Sequence, residues 1–195
     1  MRTYPTIPEA EQLLREAEKC NPGPWGNHSR VAAFCAERIA KAAGMDAEKA
    51  YVRGLLHDIG RKFGIKHLAH VYDGYQYMMD LGYADAARIC LTHSFCCPKL
   101  DVYIGNFDLP QEQQMDLQKL LDQLVYDDYD RLIQLCDCLA GSAGVVDMEA
   151  RMLDVKKRYG FYCQDKWDTN MWLKAYFEEK TGKNIYKIVK NEAVE

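Results

Sequence analysis

The chain has 195 residues, a formal net charge of −4 and 48% hydrophobic residues. That length allows one domain with a sizeable core, and the acidic balance argues against broad nucleic-acid or anionic-membrane surfaces while leaving room for a small basic pocket. No apolar run approaches membrane-spanning length and the charged N-terminal segment carries no apolar signal, so a cytoplasmic protein is expected.

In chain order, nearly every segment reads as helix. Thr6 with Glu9 three residues on resembles a capping box, ahead of an apolar face at Leu13, Leu14 and Ala17. The run Asn21-Pro22-Gly23-Pro24-Trp25-Gly26 breaks that helix, and Asn27 is the expected N-cap of the next, which passes Val31, Phe34, Cys35 and Ile39 and stops at Gly44. A third helix starts at Asp46, passes Tyr51, Leu55 and Leu56, and ends around Gly60. After a basic turn (Arg61, Lys62, Lys66), a helix carries Tyr72, Tyr75, Met78 and Met79, read as core rather than as a base-stacking platform. Another runs from Ala84 to about Thr92. Residues 96–110 form the one long irregular segment, of a length typical of a functional loop such as a lid. Helical patterns follow at Gln111–Leu124, Asp128–Leu139 and Met148–Arg158, and the tail gives short packing helices at Met171–Lys180 and Ile185–Val189. No alternating run is long enough for a strand. The expected architecture is a single all-α domain over residues 1–195, with a motif-bearing core at about 25–142 and packing helices over 147–195.

The eight cysteines, without a secretory signal, read as free thiols, and Cys35, Cys90 and Cys136 sit on apolar patterns as small hydrophobes. Cys136-Asp137-Cys138 has no second cysteine pair at matching spacing, so it is not read as a zinc site.

The chemistry concentrates on the five histidines and two aspartates. His57-Asp58 closes an apolar helix, and Asp137 stands within Leu132-Ile133-Gln134-Leu135-Cys136-Asp137-Cys138-Leu139. Such groups are costly to desolvate unless they are paired or bound to metal, and mixed His/Asp ligation suits transition metals rather than calcium. The residues His28-Ser29-Arg30-Val31, then His57-Asp58-Ile59-Gly60-Arg61, then Asp137 in a late helix resemble the HD superfamily of metal-dependent phosphohydrolases.

The resemblance covers roughly residues 25–142. It implies that His28, His57, Asp58 and Asp137 hold one divalent transition metal. In two-metal branches Asp58 bridges to a second ion completed by His70 and His93, with His67, one turn before His70, as the alternative donor. Iron is the metal expected first, with manganese, cobalt, nickel or zinc as alternatives. Bound cations make water acidic enough to attack phosphorus near neutral pH. Asp58 and Arg61 are then the expected catalytic pair, and Arg61, Lys62 and Lys66 the expected substrate-binding cations. The substrate would be a small phosphorylated molecule, such as a nucleotide or dinucleoside polyphosphate, with no nucleic acid or membrane as partner and a monomer or homodimer as the assembly. The same six residues also fit a di-iron oxygenase resembling inositol oxygenase, and the basic turn favours phosphate hydrolysis over it.

Overall fold

The structure is a computed structural model that describes residues 2–190. Among them the helices are α1 (Ile7–Cys20), α2 (Trp25–Ala42), α3 (Ala47–Leu56), α4 (Ala69–Asp80), α5 (Ala84–Thr92), α6 (Gln111–Asp122), α7 (Asp128–Leu139), α8 (Met148–Tyr159), α9 (Gln164–Thr181) and α10 (Ile185–Val189). Short 3₁₀ turns occupy Ile59–Phe63 and Leu100–Val102. The fold is all-α apart from a two-residue antiparallel hairpin, β1 (Ala140–Gly141) with β2 (Gly144–Val145), in the register Ala140↔Val145. No described helix is long and apolar enough to cross a membrane.

Local chemistry sets most helix starts. Thr6 and Glu9 form the expected capping box on α1, and Asp127 forms another with Asp130 on α7. Asp46 caps α3 by accepting from Lys49 N at 3.0 Å. The start of α2 departs from the sequence reading: the helix begins at Trp25, with Pro24 rather than Asn27 at the cap. Proline has a φ suited to helix entry, and Asn27 lies exposed inside the first turn. Gly26 is helical rather than a breaker, and its missing side chain leaves room for Glu18, which pairs with Arg30 at 2.6 Å. α9 starts seven residues before the expected Met171, because its first two turns (Gln-Asp-Lys-Trp-Asp-Thr-Asn) are polar and carry no one-sided apolar pattern.

The core has three parts. α2 and α7 meet the C-terminal helices through Ile39, Leu132, Ile133, Met152, Phe177 and Ile185. α1, α3 and α5 pack around Leu14, Val52, Leu55 and Cys90. The segment read as a candidate lid packs down instead: Val102, Tyr103 and Leu109 are buried with Phe95, Leu117 and Leu121. It is a wall of the interior, since burying its aromatic and aliphatic side chains outweighs leaving them in water. All eight cysteines are free, and Cys35, Cys90 and Cys136 are buried as small apolar residues.

One close approach matters for the site. A Cβ on Gly60 would sit 1.9 Å from the His70 carbonyl oxygen and 2.6 Å from Gly74 N. Only glycine lets the turn after Asp58 lie directly against α4.

Candidate metal centre

The six His and Asp residues singled out in the sequence all lie at helix ends and converge on one point. His28 is in the first turn of α2 and His70 in the first turn of α4, while His57 and His93 are the C-caps of α3 and α5. Asp58 follows His57, and Asp137 is in the last turn of α7.

Backbone carbonyls near these helix ends orient the imidazoles, and those of Ile89 and His67 also accept a backbone N–H. His57 Nδ1 donates to Gly54 O at 2.7 Å, His93 Nδ1 to Ile89 O at 3.1 Å and His28 Nδ1 to Ala140 O at 2.9 Å. His70 Nδ1 donates to His67 O. A carbonyl can only accept, so each ring carries its proton on Nδ1 and turns Nε2 inward. The four Nε2 atoms form two pairs, His28 with His57 and His70 with His93, each separated by 3.2 Å.

The carboxylates complete two groups. Asp137 Oδ1 is 3.0 Å from His28 Nε2 and 4.0 Å from His57 Nε2. Asp58 lies between the groups: Oδ2 is 3.8 Å from His57 Nε2, and Oδ1 is 3.1 Å from His70 Nε2 and 3.6 Å from His93 Nε2. Two sets therefore have the composition and spacing to hold an ion, His28/His57/Asp137 and Asp58/His70/His93.

The fit can be tested on the donor atoms themselves. Donors on a common ion at about 2.1 Å stand about 3.0 to 3.4 Å apart at right-angle to tetrahedral geometry, close to the shorter separations here. Burial keeps His57 neutral, with its pKa pushed down to about 4, and burial also lowers that of His70. Each Nε2 pair thus contains an unprotonated nitrogen facing another acceptor. One proton relieves one such contact, whereas a divalent cation satisfies every donor of its group. Burial by itself would raise the Asp58 and Asp137 carboxyls. Arg61 beside Asp58, and the His28 imidazole together with Arg151 beside Asp137, outweigh it and hold both well below the usual carboxylate range.

The HD domain family matches residues 25–141, more than half of the chain. The chain belongs to the HD domain family. This span is close to the 25–142 expected from the motif, and it contains all six converging residues. HD domains are in general metal-dependent phosphohydrolases, acting through bound divalent metals. No curated protein and no solved structure matches the chain.

The remaining expected residues of the HD core divide by geometry. Arg61 Nε donates to Asp58 Oδ2 at 2.6 Å, so the guanidinium first holds that carboxylate in place. Lys66 pairs with Asp73 at 2.6 Å. Both line a cavity of about 530 Å³ over the two groups. Lys62 is elsewhere: its ammonium lies 4.1 Å above the Tyr77 ring, away from the cavity lining. His67 is at the rim, edge-on to Tyr159, and belongs to neither donor group. Trp25 also lines the cavity, with Nε1 donating to Asn21 O at 2.8 Å.

Three cations in this lining come from outside the HD core and were not picked out in the sequence. Arg151 and Arg158 belong to α8 and Lys166 to α9. Arg151 reaches Asp137 Oδ1 at 3.5 Å, and Lys166 donates to Ser94 O at 2.7 Å, next to His93. The only sequence signal was the i, i+7 spacing of the two arginines on one face of a short helix. The cavity is thus lined by five Lys or Arg side chains and by two carboxylates, Asp58 and Asp137, in a protein whose net charge is −4.

Proposed function

We propose that the protein is a phosphohydrolase that binds two divalent transition metals and cleaves a phosphate ester or anhydride of a small molecule, a nucleotide being the favoured class. The observation that carries this reading is the double set of inward Nε2 atoms joined by the Asp58 carboxylate, beneath a cavity walled by cations. His28, His57, Asp58 and Asp137 would hold one ion, and Asp58, His70 and His93 the other. Iron is the ion we favour, since mixed imidazole and carboxylate donors suit it. When bound, such ions acidify water and withdraw charge from phosphate oxygens.

The residues of the chain supply the rest. Arg61 fixes the orientation of Asp58 through its 2.6 Å bond and acts as a positioning residue. The carbonyls of Gly54, Ile89, Ala140 and His67 hold the protons on Nδ1, so the inward nitrogens need no tautomer change to bind a cation. Lys66 and the three C-terminal cations draw an anionic substrate into the cavity and offset its charge. Residues 2–190 are best read as one domain, because Met152, Phe177 and Ile185 share a core with Ile39 and Leu132. The free thiols support a reducing, cytoplasmic setting.

The test is metal analysis of the purified protein, followed by a phosphate-release screen over nucleotides and phosphomonoesters with and without the metal found. Metal-dependent release from at least one of them is expected. Two irons per chain with oxygen uptake and no phosphate release would overturn the reading in favour of the di-iron oxygenase.

A further inference from the structure

The cations of α8 lie along a line that one phosphate does not fill. Arg151 and Arg158 are seven residues apart and both line the cavity, so they share a face of α8 about 10 Å apart along its axis. The near end of that line touches the metal centre, where Arg151 is 3.5 Å from Asp137 Oδ1. The far end is at the mouth, where the Arg158 side chain is 53% exposed beside Tyr159.

The other cavity cations have competing partners. Arg61 donates to Asp58, Lys66 pairs with Asp73, and Lys166 donates to the Ser94 carbonyl. Arg151 shares its carboxylate oxygen with His28 Nε2, which is 3.0 Å from the same atom. Arg151 meets that oxygen through one nitrogen at 3.5 Å, which leaves its other N–H donors for an anion in the cavity. Arg158 bonds Asp154 at 2.9 Å in a solvent-exposed pair, which costs little to exchange for phosphate. Guanidinium groups grip phosphate oxygens with two parallel hydrogen bonds, so two of them in line suit successive phosphates.

We propose that Arg151 and Arg158 form a subsite for the second and later phosphates of a phosphoanhydride chain. The substrate is therefore an organic diphosphate or triphosphate rather than a simple monoester. This rests on the phosphohydrolase reading, with the terminal phosphate over the two donor groups and the chain running outward along α8. Specificity for chain length then comes from helices outside the HD core, and the hydrolytic centre from within it.

The experiment is calorimetric binding of three probes to the metal-loaded protein: inorganic phosphate, imidodiphosphate (whose P–N–P link resists hydrolysis) and a β,γ-imido nucleoside triphosphate. Imidodiphosphate should bind at least about tenfold more tightly than phosphate. Arg151→Gln should remove that advantage, bringing the imidodiphosphate and phosphate Kd values within about twofold of each other. Arg158→Gln should weaken the nucleoside triphosphate analogue more than imidodiphosphate. Arg15→Gln, at an exposed α1 residue outside the cavity lining, should change none of the three values. Circular dichroism confirms that each variant is folded. Equal wild-type Kd values for phosphate and imidodiphosphate would overturn the subsite, as would an Arg151→Gln variant that weakens both alike. If those values are equal while monoesters still release phosphate, the subsite alone fails. If no probe binds and the screen releases nothing, the phosphohydrolase reading fails with it.

Discussion

The two ends of α7 carry carboxylates of opposite design, one fully buried and one half-buried. Near its start Asp130 is fully buried and saturated with donors: Arg88 Nη2 at 2.5 Å and Nε at 3.1 Å, the Thr92 hydroxyl at 2.9 Å and Asp127 N at 2.8 Å. Near its end Asp137 faces His28 Nε2 and is 27% exposed to the cavity. In the sequence Asp137 interrupts the apolar run Leu132–Leu139, whereas Asp130 precedes it among polar residues. The difference shows that a structural carboxylate is recognised by having its donors supplied within the protein. A carboxylate grouped with inward imidazole nitrogens is short of positive charge.

Asp58→Ala tests that contrast most severely. It removes the oxygens shared by both donor groups, so metal content should fall together with kcat/KM, by about a thousandfold or more given the several kcal/mol of charge stabilisation at stake. Elemental analysis beside steady-state kinetics reads it, and full metal content would show that the site is misassigned. Asp130→Asn should do the reverse, costing about 3 to 5 kcal/mol by breaking the buried pair with Arg88 while keeping the metal. Urea unfolding measures the loss, and an unchanged midpoint would end the comparison.

Chelation refines it. With metal at about a thousand times its Kd, binding adds about 4 kcal/mol of apparent stability. A chelator should therefore lower the melting temperature of the wild type and of Asp130→Asn alike, and leave Asp58→Ala unmoved. The smallest effect belongs to Asp108, whose carboxylate accepts from His67 N at 2.7 Å and Ala69 N at 2.9 Å at the entry to α4. Asp108→Ala should cost about 1 kcal/mol, the usual worth of such a cap. Thermal melts with and without chelator would detect it, the loss being equal in both if Asp108 serves the fold rather than the metal.

His57-Asp58 and Asp137 were legible because each is polar where periodicity demands apolar, and a buried polar group needs a reason, while His28 was reached through the resemblance to the HD pattern. The choice between His67 and His70 was not legible. It depends on the rotation of α4, which the Gly60–Gly74 contact sets and spacing does not reveal. Arg151, Arg158 and Lys166 were illegible for a different cause. Cations on a helix read as a solvated face, and only the burial of Met148, Met152 and Leu173 turns that face toward the cavity. Arg61 was found as a cation, but its 2.6 Å bond to Asp58 is a matter of orientation that no pattern carries. The 96–110 segment was legible as a long irregular stretch from its length, while the inward packing of Tyr103 and Leu109, with Tyr103 and Ile104 brought to the cavity, was not.

The hairpin after α7 has a consequence for how much change the protein tolerates. Ala140, its first residue, pairs in register with Val145, and its carbonyl accepts the hydrogen bond from His28 Nδ1. The same short stretch therefore aligns a histidine from α2, ends the helix bearing Asp137 and launches the helix bearing Arg151. Ala143 at its tip is exposed and outside the cavity lining, so its identity is open to substitution. Its length is not. One residue inserted or deleted there shifts the strand pairing and re-aims α8, separating the two halves of the cavity wall even with every side chain in place.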